Sequence, residues 1–180
     1  RRPSPRQLLI LGGLVAGVLV AAAALLAATR GSIIGKVFDE TSVAFIKQLQ
    51  HLSPDIERQA YGLSVINQAA LFFRYGLIWA IPNPQWMSID LRPAFPLGFA
   101  SAHVLGLLAF LATLGSALWL VVRKSGVAGF LGLCLAMPAL LFCSEFSTVW
   151  IQDPFVLYRS YLWAIAFPGL VVLTLTGLRP

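Results

Sequence analysis

The residues of this chain best suited to chemistry are arginines and carboxylates that stand near one another in its polar segments. Arg74, Asp90 and Arg92 come first, because the guanidinium groups of arginines can bind the phosphates of a lipid-linked substrate through paired hydrogen bonds. The same residue types also suit an Arg–Asp pair that only holds a loop onto a helix. The sequence leaves both interpretations open.

A second group of polar residues surrounds the start of the last apolar run. Glu145 and Asp153 could act as a general base or bind a sugar hydroxyl, and Asp153 before Pro154 could equally cap a helix. Tyr158 and Arg159 could anchor the chain at a membrane interface or contact a lipid phosphate. These four residues join the first three as candidate substrate-binding residues. The sequence singles out no catalytic residue.

Motifs for metals and cofactors are weak. Asp39 and Glu40 could help to ligate a divalent cation, but two adjacent acids are also an ordinary solvated helix start. Cys134 and Cys143 fall within one apolar run, as small core thiols do. The sequence contains no glycine-rich phosphate loop and no HExxH, GxSxG or CxxC motif. The sequence therefore identifies no cofactor with certainty, and a divalent cation is the alternative that stays open.

The elements that must position these residues are membrane helices. Of the 180 residues, 58% are apolar and 11% are charged, whereas about a quarter of a soluble domain is charged. This composition excludes a soluble globular domain, a disordered tail and a disulfide scaffold. The net charge of +6 does not indicate nucleic-acid binding, because the cations stand mostly at the ends of apolar runs. The sequence predicts an all-α, polytopic transmembrane protein.

Apolar runs predict four firm membrane spans within a single membrane domain, residues 1–180. A further run, 63–81, carries a polar stripe on one face and predicts an interfacial or re-entrant amphipathic helix whose stripe is solvated. The stripe consists of Ser64, Asn67, Gln68, Arg74 and Tyr75. The polar segments between the helices are predicted to be outer loops. The spans are residues 8–28, 98–122, 126–143 and 161–178, and the loops are residues 30–62, 82–97 and 144–160.

The distribution of charge predicts which side of the membrane each segment faces. Arg123 and Lys124 form the tightest cationic turn, and arginines also flank the first and last spans, as cytoplasmic ends do. Residues 30–97 must then begin and end outside, so the helix at 63–81 cannot cross completely. All seven acidic residues fall in the three outer segments. We expect the polar loops, and any chemistry, to face the periplasm or the exterior.

Three stretches of the sequence together resemble a known group of enzymes. They run from Ser64 to Trp79, from Pro82 to Asp90, and from Asp153 to Trp163. Their succession resembles the later half of bacterial GT-C membrane glycosyltransferases, namely the pilin-glycosylating enzymes and the tetratricopeptide-containing mannosyltransferases. The resemblance implies transfer of a sugar from a polyprenyl-phosphate-linked donor to a protein or glycan acceptor. It places that reaction at the outer leaflet of a bacterial inner membrane.

The resemblance implies that Arg74, Asp90, Tyr158 and Arg159 contact the phosphate or the sugar of the donor. Members of the group have more spans and an early acidic outer loop, which the matched stretches do not include. We therefore expect a piece of a larger enzyme or a shortened relative. Its expected partners are membrane lipid, the polyprenyl-phosphate sugar, and other membrane subunits or the rest of a longer chain. The alternative is a non-catalytic accessory or assembly subunit of a larger membrane complex.

Overall fold

The structure is a computed structural model, and it describes residues 20, 24, 27–28, 35–37, 40–81, 83–86, 94–151, 155–164 and 166–177. The chain divides into two compact units, Arg1–Lys36 and Val37–Pro180. In the first unit, residues 20, 24, 27 and 28 are helical, and Val20 is largely exposed. The rest of the predicted span 8–28, and Asp39, lie outside the described residues.

The second unit is helical throughout its described secondary structure, which confirms the all-α prediction for this part of the chain. Its helices are α1 (Glu40–Gln50), α2 (Ile56–Ala80), α3 (His103–Arg123), α4 (Gly126–Phe142), α5 (Tyr161–Ala164) and α6 (Phe167–Gly177). Short 3-10 turns occur at Pro84–Trp86, Cys143–Ser147 and Leu157–Ser160. The predicted loops 30–62 and 144–160 therefore contain helical elements of their own.

Two helices are long and apolar enough to cross a membrane: α3, and α4 together with the 3-10 turn that extends it to Ser147. The segments Leu157–Ala164 and Phe167–Leu175 would add a third span if they are one span bent by 49°. Pro168 explains the break, because its ring would clash with the carbonyl four residues earlier in a continuous helix. Three of the four predicted spans thus correspond to described helices, and the count of four stays a prediction.

The helix predicted at 63–81 differs from the prediction in length and in what its polar stripe faces. α2 begins at Ile56, and Ser64, Asn67 and Gln68 of the stripe are fully buried, as is Tyr75. The expectation that this stripe forms a solvated face is therefore wrong. Helical spacing shows that a face is polar, but it does not show whether water or another polar part of the chain covers it.

α2 and α3 pack closely and run roughly parallel. A β-carbon at Gly106 of α3 would come within 2.6 Å of the Cα of Ala70 in α2. Further along both helices, the rings of Phe72 and Phe110 meet edge to face, with their centroids 5.0 Å apart. The contacts advance in the same direction along both helices. At 1.5 Å per residue, α2 continues about 15 Å beyond Ala70 and α3 about 26 Å beyond Gly106. α2 therefore ends about 10 Å short of the far end of α3.

An aromatic core joins α2 to the other helices. The rings of Phe110, Phe142 and Trp163 have centroids between 4.8 and 5.2 Å from that of Phe72. These residues belong to α3, α4 and α5, so one side chain of α2 contacts three elements. The core fixes the rotation of α2 and turns its polar stripe toward the segment between α4 and α5.

Candidate functional site

A buried ion pair joins the two ends of the segment between α4 and α5. Oε2 of Glu145 lies 2.8 Å from Nε of Arg159, and the exposed fractions of the two side chains are 18% and 1%. Glu145 belongs to the 3-10 turn that follows α4, and Arg159 belongs to the turn that precedes α5. The structure therefore brings together two residues that the sequence predicted as site residues without predicting their contact.

The guanidinium group of Arg159 is also held by an aromatic ring and a hydroxyl group. Its Cζ lies 4.1 Å from the centre of the Trp150 ring, and its side chain hydrogen-bonds that of Tyr75. A desolvated cation over a tryptophan face gains about 2 kcal/mol. Arg159 is therefore held by neighbours within the protein, and its predicted contact with a lipid phosphate stays a prediction.

Two hydroxyl groups of α2 bind the main chain between Glu145 and Arg159 at two described positions. Oγ of Ser64 accepts a hydrogen bond from the main-chain nitrogen of Trp150 at 2.8 Å and donates one to its carbonyl oxygen at 3.4 Å. The hydroxyl of Tyr75 accepts a bond from the main-chain nitrogen of Val156 at 2.9 Å. Ser64 and Tyr75 lie about three turns apart on one helix face, so the polar stripe is the surface that binds this segment.

Arg74 is the predicted site residue on α2 that stays partly exposed. Its Cζ lies 5.3 Å from the centre of the Phe155 ring, and that ring stacks on Tyr75 at 4.9 Å. Among the described residues no carboxylate pairs with Arg74. A half-buried guanidinium that is held against a ring and lacks an ion pair keeps its donors free for an anion.

Of the other predicted site residues, Tyr158 is the one that the structure describes, and it lies at the exposed edge of this cluster. Tyr158 is 60% exposed, and its ring centre lies 5.9 Å from the guanidinium carbon of Arg159. Asp90, Arg92 and Asp153 lie outside the described residues, so their predicted contacts stay predictions. No group of three or more His, Cys, Asp or Glu residues in the described ranges could hold a metal ion.

An apolar groove of about 330 Å³ opens beside the end of α2. Phe73 and Leu77 line it from α2, and Trp163 and Phe167 line it from the other side. The indole nitrogen of Trp163 donates a hydrogen bond to the carbonyl oxygen of Phe72 at 3.1 Å, which fixes one wall. Leu77 is half exposed, so the groove is open along one side. Its shape and lining suit a hydrocarbon chain.

Sequence reasoning missed the roles of Ser64, Tyr75 and Trp150. The first two counted only as members of a polar stripe. The available signal was the spacing of Ser64, Gln68 and Tyr75, which puts three hydrogen-bonding groups in one line along a helix. The sequence predicted that this line faces water, whereas Ser64 and Tyr75 bind another segment of the chain.

The chain matches no protein-family model, no curated protein and no solved structure. Its function must therefore be inferred from the arrangement of its own residues.

Proposed function

We propose that this chain is part of a membrane glycosyltransferase that takes a sugar from a polyprenyl-phosphate-linked donor at the outer leaflet of a bacterial inner membrane. The observation that carries the proposal is Arg74, a partly exposed guanidinium with no ion pair among the described residues, on a helix beside an apolar groove. A cation is expensive next to lipid, so its presence there indicates an anionic partner. A lipid phosphate supplies the negative charge and the hydrocarbon chain together.

The orientation of the site follows from charge and from helix direction. Arg123 and Lys124 at the α3–α4 turn belong on the cytoplasmic side by the positive-inside rule. Since α2 runs parallel to α3 and ends about 10 Å short of that turn, α2 enters from the outer side and stops within the bilayer. Arg74 then lies below the outer surface, within reach of lipid phosphates. The four-span topology, which includes residues 8–28, belongs to the same proposal.

The chemistry assigned to this site is displacement of the donor phosphate from the anomeric carbon of the sugar by an acceptor hydroxyl, whose proton passes to a carboxylate base, with Asp153 as the candidate. Arg74 binds the phosphate and stabilises the negative charge that develops on it as it leaves. The prenyl chain follows the groove beside Phe73 and Leu77. The buried pair of Glu145 and Arg159 holds the segment that presents Tyr158 at the surface. Asp90, Arg92 and Asp153 stay candidates for the remaining donor and acceptor contacts.

The test is transfer of labelled sugar from a polyprenyl-phosphate donor to a protein or glycan acceptor. The full natural protein that contains this chain is purified and placed in proteoliposomes with the donor, with no other membrane protein present. We expect transfer that saturates with donor concentration. Absence of transfer with every donor sugar tried would contradict the proposal that the protein is an enzyme.

A non-catalytic accessory subunit is the second candidate, and the Glu145–Arg159 pair favours it. The pair is buried within the protein, as in a scaffold, and neither of its residues lines the described groove. This candidate predicts that the protein alone transfers no sugar and that transfer appears only with another membrane subunit. The proteoliposome experiment therefore separates the two functions.

A further inference from the structure

Asn67 of α2 is a buried amide that has no hydrogen-bond partner among the described residues. Its side chain is fully buried, and within this part of the chain neither its nitrogen nor its oxygen makes a hydrogen bond. Buried polar atoms in native proteins nearly always have a partner, so each exception calls for an explanation. An amide that leaves both of its polar atoms unmatched is suited to receive a ligand with a donor and an acceptor side by side.

A second unmatched donor belongs to Trp150, close to the same turn of α2. Ser64, one turn before Asn67, binds both main-chain groups of Trp150 and so fixes this residue beside the turn. The indole nitrogen of Trp150 is buried and makes no hydrogen bond to any residue that the structure describes. The cation on the Trp150 ring is neutralised, because Arg159 is paired with Glu145. The donors and the acceptor therefore suit an uncharged ligand that carries hydroxyl groups.

Asn67 also lies in line with Arg74. The two residues are seven positions apart, nearly two full turns, so they share a helix face at about 10 Å along the axis. A donor whose phosphate is bound by Arg74 and whose lipid chain follows the groove near Leu77 extends its sugar in the opposite direction along α2. That direction leads to Asn67.

Resting on the proposed function, we infer that Asn67 and Trp150 form the sugar subsite of the donor and that Asn67 determines specificity by hydrogen-bonding sugar hydroxyls. Each sugar hydroxyl is both a donor and an acceptor, which an amide can match on both of its atoms. A site whose buried polar groups bind hydroxyls discriminates strongly against a ligand that lacks them. The Trp150 segment is held at this turn by the hydroxyl of Ser64 and by the buried side chains of Val149 and Ile151. The sugar enters when the two hydrogen bonds of Ser64 open and the Trp150 ring moves.

The test compares two kinds of lipid on the full protein in nanodiscs: polyprenyl phosphate alone, and the same lipid carrying mannose, glucose or N-acetylglucosamine. We expect the wild type to bind at least one sugar-bearing lipid about tenfold more tightly than the bare lipid, which equals about 1.4 kcal/mol. Asn67→Leu should bind the bare lipid as the wild type does and lose the preference. Gln48→Leu, an exposed amide on α1, is the matched control and should keep it.

The outcomes separate this inference from the proposed function. If the wild type binds every sugar-bearing lipid no better than the bare one, the sugar subsite is refuted, while weaker binding of all lipids by Arg74→Ala would still support the phosphate site. If no lipid binds, both fail together. Thermal unfolding gives a second readout: Asn67→Leu should unfold at the same or a higher temperature, since it removes an unmatched amide. A lower unfolding temperature would mean a structural role and would overturn the inference.

Discussion

Arg159 is a charged side chain held almost entirely out of solvent, and its neighbours account for its stability there. Glu145 supplies the opposite charge, Trp150 supplies a π face, and the Tyr75 side chain supplies a hydrogen bond. Such an arrangement is far more sensitive to the loss of one partner than to the replacement of both, because a lone buried charge has no compensation.

Replacing Arg159 alone should therefore be severe. We expect Arg159→Met to lower the free energy of unfolding by about 3–5 kcal/mol, because it leaves the Glu145 carboxylate buried without its cation. The double variant Glu145→Leu/Arg159→Met should recover most of that loss. Denaturant unfolding in a mild detergent measures both. A single variant within about 1 kcal/mol of the wild type would show that the pair is not a buried, desolvated one.

At the scale of the element, the sequence predicts where the apolar helices lie better than it predicts what their faces contact. The apolar runs at 98–122 and 126–143 correspond to α3 and α4 within a few residues, because length and hydropathy alone define such helices. The helix predicted at 63–81 begins seven residues earlier, at Ile56, directly after the helix-start signal Ser53-Pro54-Asp55. Residues 56–62 were assigned to an outer loop because they mix charged and apolar side chains.

The candidate site was harder to predict than the helices. Glu145 and Arg159 lie in two separate 3-10 turns that meet in the fold, and no regular period along the sequence relates such positions. Arg74 was found because an arginine in an apolar run stands out by type. Asn67 was visible only as one of several polar residues, since burial without a partner is a property of the folded chain.

Two glycines of α3 provide a matched test of how α2 and α3 pack. A β-carbon at Gly106 would meet the Ala70 backbone at 2.6 Å, whereas one at Gly115 would meet nothing within 4 Å. We expect Gly106→Ala to destabilise the protein by about 1–3 kcal/mol through overpacking. Gly115→Ala should be neutral or stabilise it by up to about 1 kcal/mol, because alanine favours the helix. Thermal unfolding in detergent compares them, and equal effects would refute the close contact.

At the scale of the whole molecule, the account depends on α2 ending within the bilayer. We expect Leu52→Cys, in a variant whose Cys134 and Cys143 are replaced by alanine, to react with an impermeant maleimide from outside. Lys124→Cys should react only after the membrane is opened, because cationic turns stay in the cytoplasm. Intact and permeabilised cells give the two measurements. Labelling of Ile81→Cys from the cytoplasmic side would show that α2 crosses completely and would contradict the proposed topology.

The central claim is that Arg74 holds a lipid phosphate, and binding of bare polyprenyl phosphate to the purified full protein tests it most directly. Native mass spectrometry would compare the wild type, Arg74→Ala and Arg58→Ala, the last being an exposed arginine in the first turn of α2. The account predicts that the wild type and Arg58→Ala bind alike. It predicts binding at least about tenfold weaker for Arg74→Ala, since a charge-assisted hydrogen bond is lost. Equal binding by all three proteins, or no binding by the wild type, would contradict it.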